Sequence, residues 1–183
     1  MTIYEALQND HRKFQSLLDE LLEASQSGDD QWKNVLEQLR SGLIPHAHAE
    51  EAVFYNVLRE HDQSKSLVAH SYSEHAMAET EVRTLGAAKM IDANWTTMVQ
   101  KLRKDLLHHI EEEEGKVFDA ARQVFSDEEA RQIGEAFERL KPEMAKDSDS
   151  MVASTIDLIA NLLPKRLADG FRKNSTSRRK TAA

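Results

Sequence analysis

The feature that most constrains this chain is an internal repeat, in which two stretches place the same kinds of residue in the same order at a constant offset of 63 positions. The two copies are Trp32, Leu36, Leu39, Leu43, His46, Glu50 and Glu51, and Trp95, Val99, Leu102, Leu106, His109, Glu113 and Glu114. Apolar residues at alternating spacings of three and four are typical of the core-facing stripe of a helix. The repeat therefore predicts two long helices, each ending its apolar stripe in a His and a Glu one helical turn apart.

The composition favours an all-α fold. The 183 residues include only 6 Gly and 3 Pro, and no segment shows sustained strand alternation. This length suits one domain with a sizeable core. The chain has no cysteine, which excludes a disulfide scaffold and a zinc–thiolate site.

Charge and hydropathy restrict the partners and the compartment. The net charge of −8 argues against a nucleic-acid-binding domain, because affinity for phosphates depends on Lys and Arg. No apolar run is long enough for a signal peptide or a membrane span. We therefore expect a cytoplasmic protein that binds neither nucleic acid nor membrane. The oligomeric state is left open.

Helix signals divide the chain into a bundle and an extension. The predicted bundle helices run from Thr2 to about Ser25, from about Asp30 to Glu60, from about Ser66 to Ala88 and from about Ala93 to Phe125. Thr2-x-x-Glu5 is a capping box at the start of the first helix, and Asp92 is the predicted N-cap of the fourth. Four long helices with short connections predict an antiparallel four-helix bundle.

Two further helices are expected after the bundle. Ser126-x-x-Glu129 forms a second capping box, which opens a fifth helix ending near Pro142, and a sixth begins around Ser148 or Asp149. The predicted division is residues 1–125 for the bundle, 126–171 for a helical extension packed on it, and 172–183 for a disordered basic tail. The extension contains no set of metal donors.

The repeated His-x-x-x-Glu pairs indicate metal ligands. A buried carboxylate must be paired or must coordinate a cation, because an isolated charge in an apolar interior shifts its pKa until it is neutral. In each copy an imidazole lies on the same helix face as the carboxylate, so nitrogen and oxygen donors can converge on one point. The alternative is that His46 and His109 are core histidines hydrogen-bonded to Glu50 and Glu113. Two copies in register favour a metal.

Three more residues on the other helices are candidate donors. His11 lies in the apolar stripe of the first helix. On the third helix we predict that His75 faces the core and that His70 faces solvent, because His75 continues the apolar stripe. Glu79, one turn after His75, either binds metal or points to the helix edge. His48 is predicted to face solvent.

The donor set is larger than one ion requires. It comprises His11, His46, Glu50, His75, Glu79, His109 and Glu113. These residues suit two metal ions bridged by Glu50 and Glu113.

The motifs resemble those of the hemerythrin-like, or HHE cation-binding, family over about residues 1–125. The matching segments are Asp10-His11, His46-Ala-His-Ala-Glu50-Glu51-Ala-Val-Phe54-Tyr55, Glu74-His75, and His109-Ile-Glu-Glu-Glu113-Glu114-Gly-Lys-Val117-Phe118. The resemblance implies a four-helix bundle around two non-haem iron ions. It also implies bridging by Glu50 and Glu113 and an open position for dioxygen, nitric oxide or peroxide.

One departure from the family bears on function. The oxygen carriers of the family have a second histidine one turn after the position of His75, where this chain has Glu79. As a ligand, Glu79 would favour ferric iron and disfavour reversible oxygen carriage. Three readings follow: a small-ligand sensor or handler, a di-iron enzyme that decomposes hydrogen peroxide, and a structural bundle with buried histidines.

Overall fold

The computed structural model describes residues 1–27, 31–88, 92–146 and 159–168, and these are helical almost throughout. The helices are α1 (Ile3–Ser27), α2 (Trp32–Glu50), α3 (Asn56–Leu58), α4 (Asp62–Ala87), α5 (Ala93–Glu112), α6 (Phe118–Val124) and α7 (Asp127–Met144). The all-α prediction is confirmed. None of the described helices combines the length and the apolar character needed to cross a membrane.

Side-chain caps fix several helix starts as the sequence predicts. The backbone N–H of Thr2 donates to Glu5 at 2.8 Å, and the backbone N–H of Glu5 donates to the Thr2 hydroxyl at 3.3 Å. Ser126 and Glu129 form the second reciprocal box at the start of α7. Asp92 accepts from the backbone N–H of Trp95 at 2.8 Å. These bonds satisfy amide groups that have no partner within the helix.

The long helices α1, α2, α4 and α5 form the bundle. Helix α1 packs against α2 and α5, and α4 packs against the same two helices, so the four enclose one core. The tryptophans of the two repeat copies meet near one end, where the rings of Trp32 and Trp95 lie 5.0 Å apart at 66°. The repeat thus places its two apolar stripes against each other.

Two π-helical turns interrupt the second and fourth predicted bundle helices, and the interruption expected at Pro45 is absent because Pro45 lies within α2. One spans Glu51–Tyr55, between α2 and α3, and the other spans Glu113–Val117, between α5 and α6. The predicted helices Asp30–Glu60 and Ala93–Phe125 are therefore each divided. Such single turns add one residue to the ladder of backbone bonds and are frequent at functional sites. Here each begins where the buried glutamate of its repeat copy lies.

Helix α7 packs across α1 and α2. A side-chain carbon at Gly134 would lie only 2.7 Å from the backbone oxygen of Met1, so glycine permits this close approach of α7 to the chain start. The helix continues two residues past Pro142, where the sequence predicted its end. Most of the predicted sixth helix and the basic tail 172–183 lie outside the described residues. Within 159–168, Ile159, Leu163 and Leu167 pack on the core.

Candidate metal centre

Six of the seven predicted donors meet in one buried layer between the two apolar halves of the bundle. They are His11, His46, Glu50, His75, His109 and Glu113, and none is more than 6% exposed. The layer therefore brings together one donor from α1, two from α2, one from α4, one from α5 and one from the π turn that follows α5.

The four imidazoles divide equally between the two carboxylates. The Nε2 atoms of His46 and His75 each lie 3.6 Å from Oε2 of Glu50. The Nε2 atoms of His11 and His109 lie 3.2 and 3.7 Å from Oε2 of Glu113. The result is two half-sites, each with two nitrogens around one carboxylate oxygen.

The opposite nitrogen of every imidazole, Nδ1, lies within hydrogen-bond distance of a carboxylate on a neighbouring helix or π turn. The pairs are His46 with Asp10 at 3.0 Å, His75 with Glu51 at 3.0 Å, His109 with Glu74 at 2.9 Å, and His11 with Glu114 at 2.8 Å. Each of these acids is the sequence neighbour of a donor on its own segment. The side chains therefore close a ring around the bundle, in which each segment orients the histidine of the next.

The ring determines which nitrogens face the interior as acceptors. An ionised carboxylate only accepts hydrogen bonds, so the Nδ1 that faces one must donate, and the Nε2 of a neutral imidazole then carries a lone pair. Burial raises the pKa of Glu51 to about 7, so this holds for His75 above that pH. The Nε2 atoms of His75 and His109 lie 3.1 Å apart, and when both rings carry their single proton on Nδ1 the two facing lone pairs repel each other. A cation between them would relieve the repulsion. Carboxylate-oriented imidazoles of this kind are typical of metal ligands.

Unsatisfied polar atoms concentrate in the same layer. Both carboxylate oxygens of Glu50, Oε2 of Glu113 and Nε2 of His11 are buried without a hydrogen bond. The 3.2 Å contact between His11 and Glu113 does not have hydrogen-bond geometry. An unsatisfied buried polar group costs about 1–3 kcal/mol. Since four such atoms point at one space, the donor set fits a metal and leaves these groups unexplained without one.

Burial and mutual contact separate the charge states of the two glutamates. Burial, reinforced by the nearby Glu113 carboxylate, raises the pKa of Glu50 well above its usual value. Burial acts in the same direction on Glu113, but contacts with Glu50, His11 and His109 outweigh it and hold the pKa of Glu113 well below its usual value. Without metal, a proton shared by the pair therefore favours Glu50 over Glu113.

The pKa values of the imidazoles are also shifted in opposite directions. Burial lowers the pKa of His46 to about 4 and that of His75 to about 3, so both are neutral at neutral pH. Burial would also lower the pKa of His11, but its close contacts with the carboxylates of Glu113 and Glu114 raise it to about 9. Neutral imidazoles are the form that binds metal, and the charge on His11 is the one that a bound cation would replace.

Tyr55 is a site residue to which the sequence reasoning assigned no role. Its hydroxyl donates to Oε1 of Glu113 at 2.8 Å. Its ring stacks on His75 with centroids 5.3 Å apart and an interplanar angle of 21°. The signal available in the sequence was a tyrosine within a run of core residues directly after Glu50, because a buried hydroxyl requires a partner.

Glu79 is the one predicted donor that lies outside the layer. Its Oε2 is 3.1 Å from Nε2 of His48, and its Oε1 accepts from Arg83 at 2.9 Å. The carboxylate therefore occupies the helix edge, where His48 and Arg83 hold it. His48, predicted to face solvent, is only 41% exposed and pairs with Glu79.

The facing predicted for the third bundle helix is confirmed. His75 is 6% exposed, whereas His70 is 58% exposed. A cavity of about 210 Å³ lies between these two positions, lined by imidazoles of the buried layer and, towards solvent, by His70, Glu74 and His108. The buried donors are thus accessible to an ion or a small molecule.

Helix α7 reaches the site from the extension. Lys141 donates to Oδ2 of Asp10 at 2.8 Å, and this oxygen also lies 3.0 Å from Nδ1 of His46. The ring of Phe137 meets the His46 ring edge-on at 5.4 Å. Within the described residues, α7 therefore contacts Asp10 and His46 from outside the buried layer.

Sequence comparison identifies the family. The profile of the hemerythrin HHE cation binding domain matches residues 2–121. The chain belongs to this family. All six buried donors lie within the hemerythrin match, whereas α7 lies beyond it.

A curated relative carries the same family description. An uncharacterized hemerythrin-like protein of Schizosaccharomyces pombe is 26% identical over 142 residues, which cover 76% of this chain and 68% of the relative. No solved structure matches the chain significantly. Membership in the hemerythrin family implies a helical domain that binds a cation, with iron as the metal to test.

Proposed function

We propose that this protein holds two non-haem iron ions and binds a small ligand, dioxygen, nitric oxide or peroxide, in oxygen or iron sensing or handling. The observation that carries the proposal is the set of four inward-facing Nε2 atoms around two carboxylates that lack hydrogen-bond partners on the inner side. Nitrogen and oxygen donors of this kind suit borderline divalent metals. The family supports iron as that metal.

The ligand set under this proposal is His11, His46, His75 and His109 through Nε2, with Glu50 and Glu113 as the bridging carboxylates. Glu79 is left out because it pairs with His48 and Arg83. Reversible oxygen binding, which Glu79 would disfavour as a ligand, is therefore compatible with this donor set. Bound iron would supply a redox couple and an open coordination position for the small ligand.

The chain's own residues orient the site and control access to it. Asp10, Glu51, Glu74 and Glu114 hold the four imidazoles by Nδ1. The cavity of about 210 Å³ has room for a diatomic molecule or peroxide, and its largely apolar walls restrict water. These features favour binding of a small uncharged ligand.

The second candidate is an enzyme that decomposes hydrogen peroxide at the same centre. The observation favouring it is the Tyr55 hydroxyl, which donates to Glu113 inside the buried layer. Peroxide breakdown requires proton movement between oxygens, and a hydroxyl next to a carboxylate can hold and return a proton. This role needs Tyr55, whereas reversible ligand binding does not.

One set of measurements on iron-loaded protein distinguishes reversible ligand binding from peroxide decomposition. The reduced form is titrated with nitric oxide and dioxygen while absorption is followed, and peroxide consumption is measured on wild type and Tyr55→Phe. We expect a saturable spectral change reversed by removing the gas, and peroxide loss no faster than with the same concentration of free iron. Peroxide turnover that falls at least about tenfold in Tyr55→Phe, with iron content retained, would support the enzyme instead.

A further inference from the structure

A second group of donors, separate from the buried layer, lies at the mouth of the cavity. Nε2 of His70 is 3.3 Å from Oε1 of Glu74 and 3.6 Å from Oε2 of Glu112. One ligand atom from each of the three residues lies within 4.8 Å of the others. His70 is 58% exposed, and the two glutamates are partly buried. The geometry is that of a half-formed metal site open to solvent.

The other contacts of these carboxylates leave the facing oxygens free to bind. Glu112 uses Oε1 to pair with Lys116. Its Oε2 faces His70, and Nε2 of His108 lies 4.0 Å from the same oxygen. Glu74 uses Oε2 on Nδ1 of His109 at 2.9 Å, which leaves its Oε1 towards His70.

The cavity joins this group to the buried layer. Its wall includes His70, Glu74 and His108 on the outside and His75 and His109 on the inside. His11, whose Nε2 is buried without a hydrogen bond, also lines it. Glu74 belongs to both groups because its two oxygens face in opposite directions. An ion at the mouth therefore has nitrogen and oxygen donors along its way to the core.

We propose that His70, Glu74 and Glu112 form a surface site that captures a divalent transition-metal ion and passes it through the cavity to the buried centre. One imidazole and two carboxylates suit ferrous iron and zinc, with water completing the coordination. Binding at the mouth stands on its own geometry. The loading role rests on the proposed metal centre.

The first test is a calorimetric titration of iron-loaded protein with Zn²⁺. Wild type should take up one further equivalent of zinc. His70→Ala and Glu112→Gln should weaken that equivalent by at least about tenfold, which corresponds to about 1.4 kcal/mol. Glu111→Gln is the matched control, because it removes the same charge at an exposed neighbouring position. No further zinc in wild type, or equal weakening in the control, overturns the surface site.

The second test is the rate of iron loading. Metal-free protein is mixed with a limiting amount of ferrous iron in air-saturated buffer, where dioxygen oxidises the bound iron. The growth of the ferric near-ultraviolet absorption is followed for wild type, His70→Ala, Glu112→Gln and Glu111→Gln. We expect the first two variants to load at least about tenfold more slowly, with the final iron content unchanged. Loading at the wild-type rate, or faster, overturns the capture role.

The two proposals fail in different ways. A wild-type protein that never takes up two iron ions contradicts the proposed centre, whatever the zinc result at the mouth. A protein that takes up two ions at the same rate in every variant keeps the centre and loses the capture site. Because His70 and Glu112 are solvent-accessible, these variants should fold, and thermal melting of the metal-free forms verifies it.

Discussion

The two repeat copies supply equivalent donors but place them in different surroundings. Glu50 in the first copy has no hydrogen bond to either oxygen, whereas Glu113 in the second accepts from Tyr55 at 2.8 Å and lies beside His11. Burial and the nearby Glu113 carboxylate raise the pKa of Glu50, whereas contacts with Glu50, His11 and His109 lower the pKa of Glu113. Identical spacing in the sequence therefore does not produce identical charge.

The different surroundings of Glu50 and Glu113 come from residues that have no equivalent in the other copy of the repeat. Tyr55 provides the hydroxyl that donates to Glu113, whereas the residue at the equivalent position of the second copy is Phe118, which has no hydroxyl. His11 comes from α1, which has no counterpart within the repeat. The repeat sets where the carboxylates lie, and the neighbouring helices set which of them is ionised.

The largest expected effect is the loss of stability when the metal is removed, because both repeat copies contribute donors to it. A ligand that binds only the folded state at about 100 times its Kd stabilises it by about 2.7 kcal/mol. For a protein of this size that corresponds to a fall in Tm of roughly 5–11 °C on metal removal. Scanning calorimetry of loaded and metal-free protein at neutral pH measures it. Equal Tm values would mean that neither copy binds metal in the folded state.

Replacement of each glutamate by leucine in the metal-free protein should change the free energy of unfolding differently for the two copies. Glu50→Leu removes two unsatisfied oxygens, so we expect stability equal to or above that of wild type. Glu113→Leu leaves the Tyr55 hydroxyl without its acceptor, and we expect a loss of about 1–3 kcal/mol. Urea unfolding with unchanged m-values is the measurement. Effects of the same sign and size would show that the two carboxylates are equivalent.

The pH dependence of the metal-free protein should distinguish His46 from His11. The pKa of His46 is about 4 when folded, against an ordinary value of 6.5. Between pH 6.5 and 4 this imidazole is therefore protonated in the unfolded chain but not in the folded protein. The free energy of unfolding falls as the pH drops through that range. The pKa of His11 is raised to about 9, so its contribution is complete below pH 6.5 and is lost as the pH rises towards 9.

Two variants test these opposite signs by urea midpoints across pH. His46→Leu should flatten the acid side of the profile, and His11→Leu should flatten the alkaline side. If His46→Leu changed the urea midpoint only above pH 6.5, the assignment of a neutral buried imidazole to His46 would be contradicted.

The smallest expected effect concerns the support of His46 by α7. Lys141→Met removes the cation from Asp10 but leaves the bond between Asp10 and His46, so we expect iron affinity to fall by less than about tenfold. Lys146→Met is the control, because Lys146 is 62% exposed and pairs with Glu143. Competition with a chelator measures the affinity. A larger loss in the control would show that α7 acts only through general stability.

Much of the site follows from sequence periodicity because the ligands share the apolar stripes. The facing of His75 and His70, the burial of both repeat copies and the capping boxes are local patterns. The π turns are not local, because the extra residue in each ladder depends on packing against other helices. The position of Glu79 is local only in part, because its pair with Arg83 lies within one helix whereas its contact with His48 depends on the packing of two helices.

The ring of supporting carboxylates had a sequence signal that the periodicity argument did not use. Asp10, Glu51, Glu74 and Glu114 each lie directly beside a buried donor. Which histidine each one serves depends on the order of helices around the bundle, and that order is tertiary information. The contact between Lys141 and Asp10 spans more of the chain still, and nothing in the local pattern around either residue indicates it.

The most direct test of the central claim is the number of iron ions bound per chain at saturation, together with their magnetic state. Metal-free protein is loaded with excess ferrous iron, exchanged to remove unbound metal, oxidised, and analysed by plasma emission and electron paramagnetic resonance. The two half-sites around Glu50 and Glu113 predict two ions per chain, coupled through the bridging carboxylates so that the oxidised pair gives no resonance. Saturation at one ion, or a ferric signal that accounts for all the bound iron, would contradict a carboxylate-bridged centre.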